Sequence, residues 1–489
     1  MGVYSITDSA MAALNIAQAG ILVTSQNVAG ASVDGFTRRS AVATINAMAP
    51  NNLMLNGTSF AVGGFTRQYS ALVNGQLLNQ QAKSSYTDTL VQYTQSIDTL
   101  VSGTSTGLNS AISIFFNAMG TYAADPTSKS QAAAITAAAN DVAQRMTRMT
   151  SLVSQIEDDA EKGLSDTAEQ VNTLLPALAQ INQKIIESTS AGNSAPSADL
   201  LDERDRLSSQ LQKLVGGQTL INGDGTVTQL VGGIALVEGP VANKLIINGN
   251  GTYSLQSGTN NSTILNIQDL DGGQAGALFE LVNSFVPKIN QRLDSLAIGL
   301  VKVANTATNS ASSGVGLFGF EVGSTTHFNL GTNYSDYTAY IPSMTSDSAM
   351  SSLYALLADS SNSMTSRGLI ARNFVSIAPQ DPSTYFDNDG DPIITSALAN
   401  TTSNRISIFA NTTASLVSDV GVQVASWRGS QKANQAVLKT LIDERDSISG
   451  INLDEEAANL LKYQQLYSAS TKVLQIDNQM FTALLSIMN

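Results

Sequence analysis

Residues 450–489 read GINLDEEAANLLKYQQLYSASTKVLQIDNQMFTALLSIMN, and Leu460, Tyr467, Leu474, Phe481 and Met488 recur in it every seven positions. That spacing draws one apolar line along a helix. A globular domain covers its final helix with its own core, so a heptad line at an extremity predicts a partner outside that domain. Asn452 is placed to cap this helix, Glu455 three residues on is placed to reach back to the cap, and Gly450 marks a break from the preceding segment.

The other end of the chain offers a mate. In VYSITDSAMAALNIAQAGILVTSQNVAG, residues 3–30, Val3, Ala10, Ala17 and Thr24 lie seven apart and alternate with Leu14, Ile21 and Val28. This is the three-four spacing of a coiled-coil seam. Periodicity alone leaves open that each segment is an ordinary amphipathic helix of a globular core.

Composition limits the rest. With 489 residues, 43% of them hydrophobic, the chain can bury several cores. Its 39 acidic against 25 basic residues give a net charge of -14, which argues against nucleic acid or an anionic membrane as a partner. Charged residues are only 13% of the chain, a surface suited to extensive contact with neighbours. The absence of Cys excludes disulfides and Cys-bearing metal sites. The opening MGVYSITDSAMAALN lacks the marks of a cleavable signal, and SLAIGLVKVA, interrupted by Lys302, is far shorter than the roughly 20 residues of a membrane span.

Along the chain the patterning is nested. Residues 84–214 read as mostly helical, with Val142, Met146, Met149, Val153 and Ile156 as one stripe and Pro176 expected to kink or end its helix. From 216 to 267 short β runs (TLI, VTQLV, IALVE, KLIIN, TYSL) alternate with the turn sequences NGDG and NGNG. Helical spacing returns with Leu278, Leu281, Phe285, Ile289, Leu293, Leu296, Leu300 and Val303, and again from 403 to 447, where Trp427 aligns with Val420 and Val424. Residues 310–400 are mixed and rich in Ser, Asn and Gly.

No chemistry-bearing motif completes itself. GVGLFG, with Gly314, Gly316 and Gly319, has dinucleotide-like spacing but a long helix before it and no helical run after it. DNDGD, Asp387–Asp391, puts its glycine fourth rather than sixth and lacks the closing glutamate of a calcium loop. The single histidine, His327, rules out paired-His metal chemistry, and no G-x-S-x-G elbow surrounds any serine. Asp202 with Glu203, and Asp443, Glu444 and Asp446, lie among arginines and read as solvated ion pairs. The expectation is no catalytic, cofactor-binding or metal site, and no enzyme.

At this point the residues resemble a family. ALNIAQAGILVTSQNVAGASVDGFTRRS, residues 13–40, is similar to the N-terminal signature of bacterial flagellar rod, hook and hook-associated proteins. INLDEEAANLLKYQQLYSASTKVL at 451–474 and SADLLDERDRLSSQLQKLVG at 197–216 resemble the hook-associated protein 1 family more closely. The resemblance implies a structural subunit exported unfolded through the flagellar type III channel. It also implies a ring-like homo-oligomer between hook and filament, with hook protein, hook-associated protein 3 and an export chaperone as partners. Another axial (hook or rod) subunit and a secreted adhesin-like protein remain as alternatives.

The expected architecture is mainly α with inserted β modules: an elongated rod of helices built from both chain ends, the ends at one pole and β material at the other. Residues 1–50 with 452–489 form the terminal coiled coil, expected to order on assembly. Residues 51–215, 273–309 and 401–451 form a helical body, 216–272 a small β domain, and 310–400 a variable insertion. The expected assembly interface is Leu14, Ala17, Ile21, Val28, Leu460, Tyr467, Leu474, Phe481 and Met488.

Overall fold

A computed structural model describes residues 2–33, 35–46, 59–101, 107–190, 196–247, 253–258, 263–267, 272–308, 317–322, 325–326, 371, 374–376 and 397–488. Among these the chain is mainly helical, with small antiparallel sheets set between long helices. No described helix is long and apolar enough to cross a membrane. Most of 310–400, including His327 and the DNDGD run, lies outside the described residues, as does the NGNG turn.

Helix α1 (Gly2–Gly30) leads into a hairpin of β1 (Arg39–Asn46) and β2 (Ser59–Arg67) that the patterning did not foretell. Its alternation is broken by a bulge at Val42/Ala43, opposite Gly64 at φ 122°, so the period-two signal of a strand is lost. The body follows: α2 (Ala71–Val101), α3 (Leu108–Ala124), α4 (Lys129–Ser190) and α5 (Ala198–Val215).

The spine is α4, whose 62 residues extend about 93 Å at 1.5 Å per residue. The predicted stripe from Val142 to Ile156 is buried along it. Pro176 does not end this helix, contrary to one expectation. Leu175 and Leu178 beside it are fully buried, and their packing outweighs the roughly 3 kcal/mol that an interior proline costs.

The β module leaves the body after α5 and returns at α6 (Gly273–Glu280) through two Gly-Gly pairs whose backbones touch. A Cβ on Gly216, itself at φ 65°, would stand 2.9 Å from the carbonyl carbon of Gly272. Between these points β3 (Gln218–Ile221), β4 (Val227–Val231), β5 (Ile234–Glu238) and β6 (Val241–Ala242) form one antiparallel sheet. A second contains β7 (Lys244–Ile247), β8 (Tyr253–Gln256) and β9 (Thr263–Ile267). Two asparagines of α4 pin them. Asn182 accepts from Val227 N at 2.9 Å and donates to Val227 O at 2.8 Å, and Asn172 treats Leu245 likewise at 2.8 and 2.7 Å. The first sheet is not at the pole far from the chain ends: its NGDG turn docks on α5, where Arg204 donates to the Gly225 carbonyl.

From α6 the chain passes through a π turn (Leu281–Phe285) into α7 (Val286–Thr308). Pro287 explains the turn, because it has no N–H to give its i−4 carbonyl, and the Val286 N–H reaches back to Leu281 O instead. The predicted apolar line from Leu278 to Leu300 is buried throughout, while the Val303 side chain lies outside the description. Gly319 of GVGLFG sits in a strand, β10 (Phe318–Val322), flanked by β11 (Thr325–Thr326) and β12 (Phe374–Ser376). Phe318 packs on Phe115 of α3 and on Phe374, so the end of this run is core, while Gly314 and Gly316 lie outside the described residues.

Helix α8 (Ala397–Ser449) returns along α2, with Trp427 buried against Phe285 at 4.9 Å and Val420 and Val424 beside it. Hydrogen bonds tie it to α2: Gln431 and Gln435 each donate to Asp88 at 2.8 Å, and Gln80 donates to Asn434. The chain breaks at Gly450 and continues as α9 (Leu453–Met488).

Candidate functional site

The chain ends meet. Thr7 donates to Asp477, the Tyr463 ring lies over Gly20, and Asn27 donates to Glu456, so α1 and α9 run antiparallel. Asn452 caps α9 as predicted, its Oδ1 accepting from Asp454 N at 3.0 Å. Glu455 pairs with Arg38 at 2.9 Å, so its carboxylate serves the contact with the other chain end instead of a capping box.

The seam is made only in part of the residues predicted for it. On α1 the buried line is Ala10, Ala17 and Thr24 with Gly20 and Asn27, so the alternate position falls at Gly20 and Asn27 rather than at Ile21 and Val28. On α9 Glu456, Ser470 and Asp477 are buried, with Tyr463 on the same heptad line. The predicted line of large apolar residues runs about 40° round the helix from it. Leu460 and Leu474 are half-buried, whereas Tyr467 and Phe481 are 38% and 46% exposed. Leu14 and Ile21 are half-buried and Val28 is exposed. Ala17 alone of the nine is buried, and the side chains of Val3 and Met488 lie outside the description.

Below the seam an ionic clasp ties this helix pair to the body. Asn27 accepts from Arg39 N at 3.0 Å and donates to Arg39 O, which fixes the chain as it leaves α1. Arg38 reaches forward to Glu456 at 2.9 Å. Arg39 turns the other way, to Asp199 at 2.6 Å and Asp202 at 3.0 Å on α5, with its guanidinium 4.5 Å from the Phe36 ring centre. Arg67, from the end of β2, pairs with Asp202 at 3.0 Å and Asp205 at 2.7 Å, and Thr37 donates to Asp202 at 2.6 Å. Asp202 and Arg204 are buried, so the reading of this run as solvated ion pairs is corrected for them. The arginines that meet this run are Arg39 and Arg67, which lie far from it in sequence, so only the density of aspartates at 199, 202 and 205 hinted at it.

The Tyr69 phenol, under the Arg67 guanidinium at 4.8 Å, is pushed above its ordinary pKa by burial and then by the Asp205 charge. Between clasp and body lies a cleft of about 800 Å³, bordered by Phe36, Arg67, Asp205, Arg445 and Glu455. Among the described residues no group of three or more carboxylates, histidines or cysteines could hold a metal ion. The clasp carboxylates are matched to arginines, an arrangement that holds geometry.

Residues 94–324 match the family of the flagellar hook-associated protein FlgK helical domain, and 444–487 that of the flagellar basal body rod FlgEFG protein C-terminal region. Flagellar hook-associated protein 1 of Salmonella typhimurium is 25% identical over 561 residues, covering 99% of this chain and 100% of that protein. These matches support the FlgK family for this chain. Its Escherichia coli relative, also a flagellar hook-associated protein 1, is 24% identical over 99% of this chain and 100% of its own length. That of Bacillus subtilis is 21% identical over 97% and 96%. Among solved structures, the flagellar hook junction protein FlgK of Burkholderia pseudomallei aligns with a TM-score of 0.45 at 22% identity, covering 50% of this chain and 47% of that one. The FlgK helical-domain match spans the end of α2 to β10, and the second match covers the end of α8 and nearly all of α9.

Proposed function

We propose that this chain is a non-enzymatic structural subunit of the bacterial flagellum that forms a ring joining hook to filament. The observation that carries this is the unspent apolar surface on the terminal pair. Beside a seam of small and polar residues, α9 exposes Leu461, Tyr467, Val473, Ile476, Met480 and Phe481, far more than α1 covers. In a free protein such a stripe is a liability, and in a ring the neighbouring copy covers it. Leu14, Ala17, Ile21, Val28, Leu460, Tyr467, Leu474, Phe481 and Met488 then form the contact, with Ala17 serving the intramolecular seam and the rest the copy beyond.

The relatives' printed names support placement at the hook, and hook protein and hook-associated protein 3 are the axial neighbours below and above. A chain without cysteine suits delivery, held by an export chaperone, as an unfolded chain through the type III channel to an extracellular position. Residues 1–50 with 452–489 act as the axial unit, the helical body as its support, and 216–272 as an outward module. Deleting the gene tests the reading: hooks should remain while flagellin is released unattached. Normal filaments in the deletion strain would remove it.

A further inference from the structure

We propose that the helical body carries two complementary lateral faces, an acidic one on α4 and a basic one on α8, through which a second copy of this chain docks front to back. The proposal rests on the ring reading and names where neighbouring bodies touch. From 157 to 169, α4 carries Glu157, Asp158, Asp159, Glu161, Asp166 and Glu169 against one cation, Lys162. All but the half-buried Glu157 are exposed. From 420 to 442, α8 carries Arg428, Lys432 and Lys439 and no acidic residue. Only 13% of the chain is charged, so this separation of signs is unlike the interspersed charge of a solvated helix surface.

The helices that carry them lie on different flanks of α2 at one stretch of the body. On α2, Tyr93 meets α4, its hydroxyl 2.6 Å from where a Cβ on Gly163 would stand, while Asp88 receives Gln431 and Gln435 of α8. Positions 88 and 93 are about 140° apart around a helix, which puts α4 and α8 on different flanks of α2. The outer face of α8 is bare and small: Val422 is 66% exposed, Ala425 and Ala436 are exposed, and a Cβ on Gly429 would meet nothing within 4 Å. These residues share a face with Lys432 and Lys439 at helical spacing, so a neighbouring helix can come close enough for its carboxylates to reach both amines. Two different, complementary surfaces on one subunit make a head-to-tail contact, the kind that closes into a ring when the rotation fits.

Reversal of the acidic face (Asp159→Lys, Asp166→Lys and Glu169→Lys) or of the basic face (Lys432→Glu and Lys439→Glu) is expected to leave the monomer's helical signal and thermal midpoint intact and to abolish filament attachment. Both reversals in one chain restore complementarity between copies and should recover filaments. Independently, Asp166→Cys combined with Lys432→Cys, in a chain with no other cysteine, should give a ladder of multimers when isolated hooks are treated with a bifunctional maleimide. Monomer alone after cross-linking overturns the proposal, as does wild-type attachment in either single-face reversal. If deleting the gene leaves filaments in place, the junction reading itself fails. A deletion phenotype beside unaffected reversals removes only the lateral faces.

Discussion

Gly20 is a point of close approach between the chain ends, since a Cβ there would stand 2.5 Å from Tyr463 Cγ. Gly20→Val is therefore expected to pry α1 from α9 and to raise amide exchange in both while the body stays protected. The combination with Tyr463→Ala should close the pair again, because the space is returned. Asp224 supports a pH prediction in the NGDG turn. Hydrogen bonds from the Thr226 hydroxyl and then the Thr226 amide hold its carboxyl below the ordinary aspartate pKa. A depressed folded pKa contributes stability that is present above the unfolded value and is lost as pH falls through the folded one. The Thr226 amide should accordingly titrate with a midpoint below the ordinary aspartate range, and Asp224→Asn should abolish that titration. A midpoint at the ordinary value would show that the turn does not favour the ionised form.

Among elements, the clasp decides how the terminal pair sits on the body. Arg39 is 6% exposed and holds two aspartates. Arg39→Ala leaves Asp202 with Arg67 and Thr37, so the expected cost is about 3 kcal/mol, the low end for breaking a buried pair, read as a lower urea midpoint. Asp202→Ala leaves Arg39 with Asp199 and Arg67 with Asp205, and should cost a comparable amount because both arginines lose one of their two carboxylates. These elements also show what could be read from residues alone. The stripes of α4 and α7, the cap at Asn452 and five of the seven strands of the β module were legible because each is written in local spacing. The seam was legible only in part: Ala10, Ala17 and Thr24 fall on the predicted line, but Glu456, Ser470 and Asp477 carry no apolar signal. A buried carboxylate announces itself only through a partner more than 400 positions away, as Glu456 does through Asn27. Pro176 marks the opposite failure, where packing overrode a local breaker in α4.

For the whole molecule, surface and stability should separate. Phe481 is 46% exposed, so Phe481→Asp should change the monomer's thermal stability by less than about 0.5 kcal/mol yet release flagellin into the medium. Lys472→Asp, on the same helix and exposed, should remain motile. A Phe481→Asp chain that joins the hook normally would place the subunit contact elsewhere. The antiparallel pairing has one more consequence, in time rather than space. The contact between Thr7 and Asp477 spans 470 positions, so its partners cannot meet until everything between them has been synthesised. Whichever end emerges first waits, with its polar seam wet, for the other. A chain interrupted between α8 and α9 keeps every helix of its body and cannot latch, so the closed seam marks full length: only a finished chain has paired ends.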